Sequence, residues 1–298
     1  MNRAARLLTL ALVGATLAGC GAGAAIRAAR SMREQAQPAA TPAAAARTDR
    51  DVAYGTDKAQ RIDVYVPAGA ANAPVILMVH GGGWRRGDKA MQGVVANKAA
   101  HFLPRGYVFV SVETRLVPDA DPLEQARDVA RALAFVQQNA ARWNIDPARA
   151  VLMGHSAGAH LVALLGADQS IATSLGAQPW RGTIPIDSGA YDIARIMTNR
   201  HFGLYDTAFG KDPAAWHAAS PIERVRGAPA PMLLICSTTR PDDSCGQARA
   251  FAARLASAGA RAEVLPQALS HLDINTQLGL PGAYTDAVDA FLASLGLP

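Results

Sequence analysis

The sequence predicts an α/β fold, a mostly parallel central sheet with helices covering both faces. Two observations predict it. Short apolar, β-branched runs recur along the chain and alternate with longer helical stretches, the pattern of strands buried on both faces. Residues able to do chemistry follow the ends of those runs, where open α/β sheets gather their sites. The 298 residues, half of them hydrophobic, suffice for one substantial core. No internal repeat divides them.

Taken in order, strands are expected at Arg61 to Val66, Val75 to Val79, Tyr107 to Val112, Ala150 to Met153, Thr183 to Ile186, Met232 to Cys236 and Ala262 to Leu265. Each is a short apolar run bounded by Gly, Pro, Asn, Asp or Ser. The clearest helices are Leu123 to Arg142 and Gln247 to Ala258. The segment from Tyr191 to Pro221 is the expected cap over the site.

Several of the strand ends carry chemistry. Val151 to Met153 runs into Gly154-His155-Ser156-Ala157-Gly158, a G-x-S-x-G turn that lifts one serine hydroxyl above a sheet and makes Ser156 the candidate nucleophile. Val75 to Val79 ends in His80-Gly81-Gly82-Gly83-Trp84, where only glycine lets main-chain N–H groups approach a developing oxyanion closely. The expected oxyanion donors are the N–H groups of Gly82, Gly83 and Ala157. A serine needs a base, and His271, just past the last strand, is the candidate. The acid that orients the histidine is expected in the loop after Met232 to Cys236. Asp243 is the first choice there, Asp242 the second, with Asp187 at the end of Thr183 to Ile186 a third candidate. His155 and His160 flank the serine without a carboxylate or cysteine cluster to complete a metal site, so they are read as packing residues and no metal is expected. His80 is read as a hydrogen-bonding brace of its loop. Trp84, Trp180, Tyr205, Phe209 and Trp216 are either core or pocket lining.

On these residues the chain resembles the H-G-G-G esterase group of α/β-hydrolases. That group includes hormone-sensitive-lipase-like carboxylesterases, feruloyl and acetyl-xylan esterases, and kynurenine-formamidase-like enzymes. Arg115-Leu116-Val117-Pro118 with Ala126-Arg127-Asp128-Val129, Asn144-Ile145-Asp146-Pro147, and Phe209-Gly210-Lys211-Asp212 extend the resemblance over about residues 52 to 298. The order Ser, acid, His is also the group's order. The usual acid loop reads roughly Gly-x-x-Asp, and in register with it Arg240 occupies the acid's place. The resemblance implies an α/β-hydrolase fold and a serine carboxylesterase that hydrolyses small to medium esters through an acyl-enzyme, with no cofactor. The alternatives are an arylformamidase or amidase using the same triad, and a non-catalytic binding module on the same fold.

The net charge of +5 resides in the first 50 residues, which hold seven arginines and two acidic residues, while residues 51 to 298 balance 22 basic against 22 acidic groups. Nucleic-acid binding is therefore not expected. Residues 1–20 read as a signal peptide, with Arg3 and Arg6 before a short apolar run that ends in Leu17-Ala18-Gly19-Cys20. This box resembles that of bacterial lipoproteins, and it implies lipidation of Cys20 and a lipid anchor to the membrane. With Gly21 next, the expected location is the outer membrane, facing the periplasm or cell surface. Residues 21–50, rich in alanine and lacking aromatics, read as a flexible tether, with a transient helix at Ala22 to Gln35 left open. Residues 51–298 form the catalytic domain. Of the three cysteines, Cys236 and Cys245 remain as a pair, and in an oxidising compartment a disulfide between them is expected.

Overall fold

A computed structural model describes residues 29–227 and 229–298. The expected signal peptide of residues 1–20, the expected lipidation site Cys20 and residues 21–28 of the expected tether lie outside the described residues.

One sheet runs through the molecule in the order β1-β2-β4-β3-β5-β6-β7-β8. Its strands are β1 (Ala45–Ala53), β2 (Arg61–Pro67), β3 (Ala73–Val79), β4 (Val108–Val112), β5 (Ile145–His155), β6 (Gly182–Ile186), β7 (Met232–Ser237) and β8 (Ala262–Gln267). β2 lies antiparallel to β1 and β4, and every pairing from β4 onward is parallel. The expected α/β class is the observed one.

Strand parity sorts the core into two layers, because successive side chains point to opposite faces. Val75, Leu77, Val79, Val110 and Leu152 face one layer, covered by α3 (Pro122–Gln138) and α4 (Ala157–Ala167). Ile76, Met78, Phe109 and Met153 face the other, covered by α2 (Gln92–Phe102) and α9 (Ala283–Ser294). Alternate residues Met232, Leu234 and Cys236 of β7 pack on Phe251 and Leu255 of α8 (Ser244–Ser257). α4 is buried along its whole length. Such a helix is apolar on every side because both neighbouring helices and the sheet enclose it.

Several boundaries differ from the sequence reading: β5 begins at Ile145 instead of Ala150, and α8 at Ser244 instead of Gln247. The helix expected over Leu123 to Arg142 ends at Gln138, where Asn139 leaves the helical region and begins a separate turn at Ala140–Trp143. Its start is set by Pro122 at the first position and Asp121, whose carboxylate accepts the Glu124 N–H at 2.8 Å.

The larger difference concerns the tether. Within residues 21–50, helix α1 occupies 29–35, residues 37–39 hydrogen-bond to Ala90 and Gln92, and β1 pairs with β2 from Ala45 onward. The domain therefore extends well upstream of residue 51. Composition does not show this docking, because the segment is held largely through backbone hydrogen bonds, which leave no apolar stripe. β1 is an edge strand with much of its length exposed, so its polar residues carry no strand signature.

Between β6 and β7 the expected cap is present as α5 (Ile193–Met197), α6 (Gly203–Phe209) and α7 (Pro213–Ala218). Trp84 packs edge-on against Phe209 at 4.8 Å between ring centres and against Tyr205 at 5.8 Å, seating α6 on the oxyanion-side loop.

Candidate active site

Ser156 stands between β5 and α4 with φ 56° and ψ −115°, a conformation a β-carbon tolerates poorly. Its neighbours make the turn possible. A β-carbon on Gly154 would lie 2.4 Å from the Gly158 carbonyl oxygen, and one on Gly158 would lie 2.4 Å from that of Val79. Both positions therefore require glycine, and the turn presses the start of α4 against the end of β3.

His271 reaches the serine from the loop after β8. Its Nε2 is 2.9 Å from Ser156 Oγ, so the resting hydroxyl donates to an unprotonated Nε2. Its Nδ1 is 2.6 Å from Asp187 Oδ2, so the proton sits on Nδ1 and is donated to that carboxylate.

The acid is thus Asp187 in place of the first choice, Asp243. Asp243 caps α8, accepting the Gly246 N–H at 3.0 Å with a side chain 78% exposed. Asp242 pairs instead with Arg240, whose Nε donates to it at 2.8 Å. The loop after β7 does reach the ring, but with Arg240: Asp242 is held on that arginine and Asp243 begins α8, whereas Asp187, directly after β6 and beside β5, meets the Nδ1 edge of the ring.

Asp187 is fully buried and fully used. Oδ1 accepts from the Ser237 N–H at 2.8 Å and from Ser244 Oγ at 3.0 Å, while Oδ2 faces His271 and, at 3.1 Å, Arg240 Nη1. Burial by itself would raise this carboxyl, but the His271 hydrogen bond, the Arg240 charge and the Ser237 N–H outweigh it and hold it well below the usual carboxylate range. Cys236 and Cys245 are disulfide-bonded, closing the loop that delivers Ser237, Arg240 and Ser244 onto this carboxylate.

The expected oxyanion donors converge here. Gly82, Gly83 and Ala157 line the same cavity as Ser156 and His271, and among the described residues no protein acceptor takes their N–H groups. A β-carbon on Gly81 would come within 2.9 Å of Ser156 Cβ, which shows how closely the loop main chain lies against the serine. His80 braces that loop, with Nδ1 2.7 Å from the Gly81 carbonyl and Nε2 2.9 Å from Glu113. Burial opposes a charge on His80, but Glu113 outweighs it and raises its pKa.

His155 and His160 act within the protein framework. His155 Nε2 donates to the His271 carbonyl at 2.8 Å, and burial followed by the neighbouring His271 pushes its pKa well down. His160 Nε2 donates to the Ala219 carbonyl at 2.8 Å while its Nδ1 accepts from the Trp84 indole at 3.2 Å, and burial pushes it down to about 4.

The cavity holds about 970 Å³. Trp84 and Tyr205 of the aromatic set line it, together with Phe202 and Leu204 of the cap, Met91 just before α2 and Val94 within it, and Met32, Gln35 and Ala36 from α1 and its end. The contribution of Met32, Gln35 and Ala36 had no signal in the sequence, because a short helix shows what it contacts only once docked.

These elements form an acyl-transfer constellation: a nucleophile, a base with its proton fixed on the far nitrogen, a buried carboxylate, and unclaimed N–H donors beside the serine. The BD-FAE family matches residues 62–255. The isoprenylcysteine alpha-carbonyl methylesterase ICME of Arabidopsis thaliana is 26% identical over 266 residues, 80% of this chain and 60% of that protein. The esterase LipC of Mycobacterium tuberculosis is 31% identical over 224 residues, 69% of this chain and 54% of that protein. The chain thus spans less than two thirds of the length of these curated relatives. Among solved structures, a truncated carbohydrate esterase from gut microbiota aligns with a TM-score of 0.74 at 21% identity, over 86% of this chain and 99% of its own. The shared architecture is the α/β-hydrolase fold.

Proposed function

The chain belongs to the BD-FAE family, and from that membership and the geometry around Ser156 we propose that it is a serine carboxylesterase acting on small to medium esters. The observation that carries the reading is the continuous relay from Asp187 through His271 to Ser156, at 2.6 and 2.9 Å, beside N–H donors that no acceptor among the described residues takes.

In this reading Ser156 Oγ attacks the ester carbonyl carbon while His271 Nε2 takes its proton. The carbonyl oxygen becomes an oxyanion and accepts from the N–H groups of Ala157, Gly82 and Gly83. The imidazolium is stabilised by Asp187, which stays ionised. When the carbon–oxygen bond breaks, Nε2 returns its proton to the departing alcohol and leaves an acyl-serine. Water then repeats the sequence with the histidine again as base, releasing the acid and restoring the hydroxyl. No metal or organic cofactor enters these steps.

Ser156→Ala should remove p-nitrophenyl acetate hydrolysis and fluorophosphonate labelling while the protein stays folded. Turnover near that of the unsubstituted protein would overturn the reading.

We also propose that the chain is exported and held at the outer membrane by lipid on Cys20. Leu17-Ala18-Gly19-Cys20 supports this, and so does the Cys236–Cys245 bond, since disulfides persist in oxidising compartments. Metabolic labelling with a palmitate analogue should mark the protein and miss the Cys20→Ser variant. Equal labelling of both would refute the anchor.

A further inference from the structure

Arg240 stands in the loop after β7 with its side chain 16% exposed, and its guanidinium is held along two edges. One edge meets Asp242, through Nε at 2.8 Å and Nη2 on the second oxygen. The other edge meets the relay, where Nη1 lies 2.8 Å from the Asp187 carbonyl oxygen, 3.1 Å from Asp187 Oδ2 and 3.0 Å from His271 Nδ1. Gly189 closes the space behind, since a β-carbon there would lie 2.9 Å from Asp242 Oδ2 and 3.1 Å from Arg240 Nη2. A planar fork pinned on both edges keeps a fixed orientation, which a flexible ammonium would not.

The protonation pattern gives that position its meaning. Nδ1 carries the proton it donates to Asp187, so it cannot also accept from Arg240. The arginine therefore donates to Asp187 and sets a permanent positive charge against the edge of the imidazole. That charge favours the ionised carboxylate and disfavours a second proton on the ring. A base that is already protonated cannot take the serine proton, so the balance between Asp187 and Arg240 decides how acidic the medium can become before turnover stops.

The other charged and titratable groups around the ring do not supply this effect. His155, from the end of β5, lies 4.6 Å away between ring centres and donates Nε2–H to the His271 carbonyl, and burial keeps it neutral. Lys98 of α2 donates to the Asn275 carbonyl at 2.6 Å, below the histidine loop. Asp273, on the histidine's own segment, accepts from Ser270 at 2.6 Å. Tyr284 donates to the Ile274 carbonyl at 2.8 Å. Among these groups Arg240 is the one cation placed against Nδ1.

We propose that Arg240 is a positioning residue that keeps Asp187 ionised and aligned on His271 Nδ1 while opposing protonation of the resting ring, so that ester hydrolysis persists toward acidic pH. The proposal rests on the serine carboxylesterase reading above.

The test is the pH profile of kcat/KM for p-nitrophenyl acetate in full-length Arg240→Gln, Arg240→Lys, Asp242→Asn and Ser156→Ala, with melting curves for each. Arg240→Gln should lower kcat about tenfold with KM within about threefold, and should move the midpoint of the acidic limb up by about 0.5–1 pH unit. Arg240→Lys keeps the charge and should return the midpoint close to its original place, although its lost fork still lowers kcat. Asp242→Asn removes a counter-charge and should move the midpoint the other way. A purely structural role would move stability and leave the midpoint in place. An Arg240→Gln midpoint within about 0.2 unit of the unsubstituted protein overturns the proposal, as does a lysine variant that shifts as far as the glutamine one. If Arg240→Gln does not fold, Asp242→Asn decides, with a fall supporting the proposal and a rise or no change overturning it. Activity in Ser156→Ala would instead sink the underlying reading, whereas a dead Ser156→Ala with an unmoved Arg240→Gln midpoint sinks this proposal alone.

Discussion

Replacing Asp187 by Asn tests the relay at the point where sequence and structure part. The carboxylate accepts the Nδ1 proton at 2.6 Å, and the near-isosteric amide can present an N–H there instead. The imidazole would then carry its proton on Nε2, facing Ser156 Oγ at 2.9 Å, and could no longer take the serine's. Loss of the correct tautomer in a triad costs about 10⁴ in kcat, or about 5 kcal/mol of barrier. We expect a loss of about 10³ to 10⁴ with little change in KM. Asp243→Asn should keep kcat within about twofold, since Asn caps a helix about as well as Asp and the side chain is solvent-exposed. Initial rates on p-nitrophenyl acetate, with melting curves as a folding control, measure both. A folded Asp187→Asn with more than a tenth of the original kcat, or a collapse of activity in Asp243→Asn, would refute the assignment.

Removing the Cys236–Cys245 bond, by reduction or by the double substitution to Ala, should cost about 2–3 kcal/mol from loop closure. It should lower kcat more than it raises KM, because the closed loop carries Ser237, Arg240 and Ser244 onto Asp187. Full activity after verified reduction would refute that link. Burial pushes Lys98 down to about 7, with its Nζ on the Gly93 and Asn275 carbonyls. The folded value lies below the unfolded one of about 10.4, so between about pH 7 and 10 the unfolded chain holds more protons and stability rises with pH. The melting temperature should climb across that window, and Lys98→Met should flatten the climb. Equal slopes in the two proteins would contradict the buried, depressed amine.

Much of the site was legible in the sequence because its parts are local. The elbow's pattern spans five residues: Gly154 is required by the Gly158 carbonyl within the turn, although Gly158 itself is required by the Val79 carbonyl at the end of β3. The glycine loop is likewise a property of the strand end that carries it. His271 was readable from its place after the last strand. Asp187 offered a weaker signal, a single aspartate directly after an apolar run, as Ser156 directly follows β5. It lost to two aspartates in a loop that the resemblance favoured. The segment before residue 51 is hard to read for a related reason: β1 contributes backbone pairing, and α1 a few pocket contacts, from residues that carry no pattern alone.

The class of fold, seven of the eight strands, and the candidate nucleophile, base and glycine-built donors were legible from the residues alone. Each follows from hydrophobic period or from steric needs met by near neighbours in the chain. It takes the folded chain to show which carboxylate meets His271, that Arg240 touches both of them, and that Met32, Gln35 and Ala36 line the cavity. Those contacts join groups far apart in the chain, 84 residues in the case of Asp187 and His271. The strand order in space and the reach of each loop select among chemically equivalent side chains that no local pattern can rank.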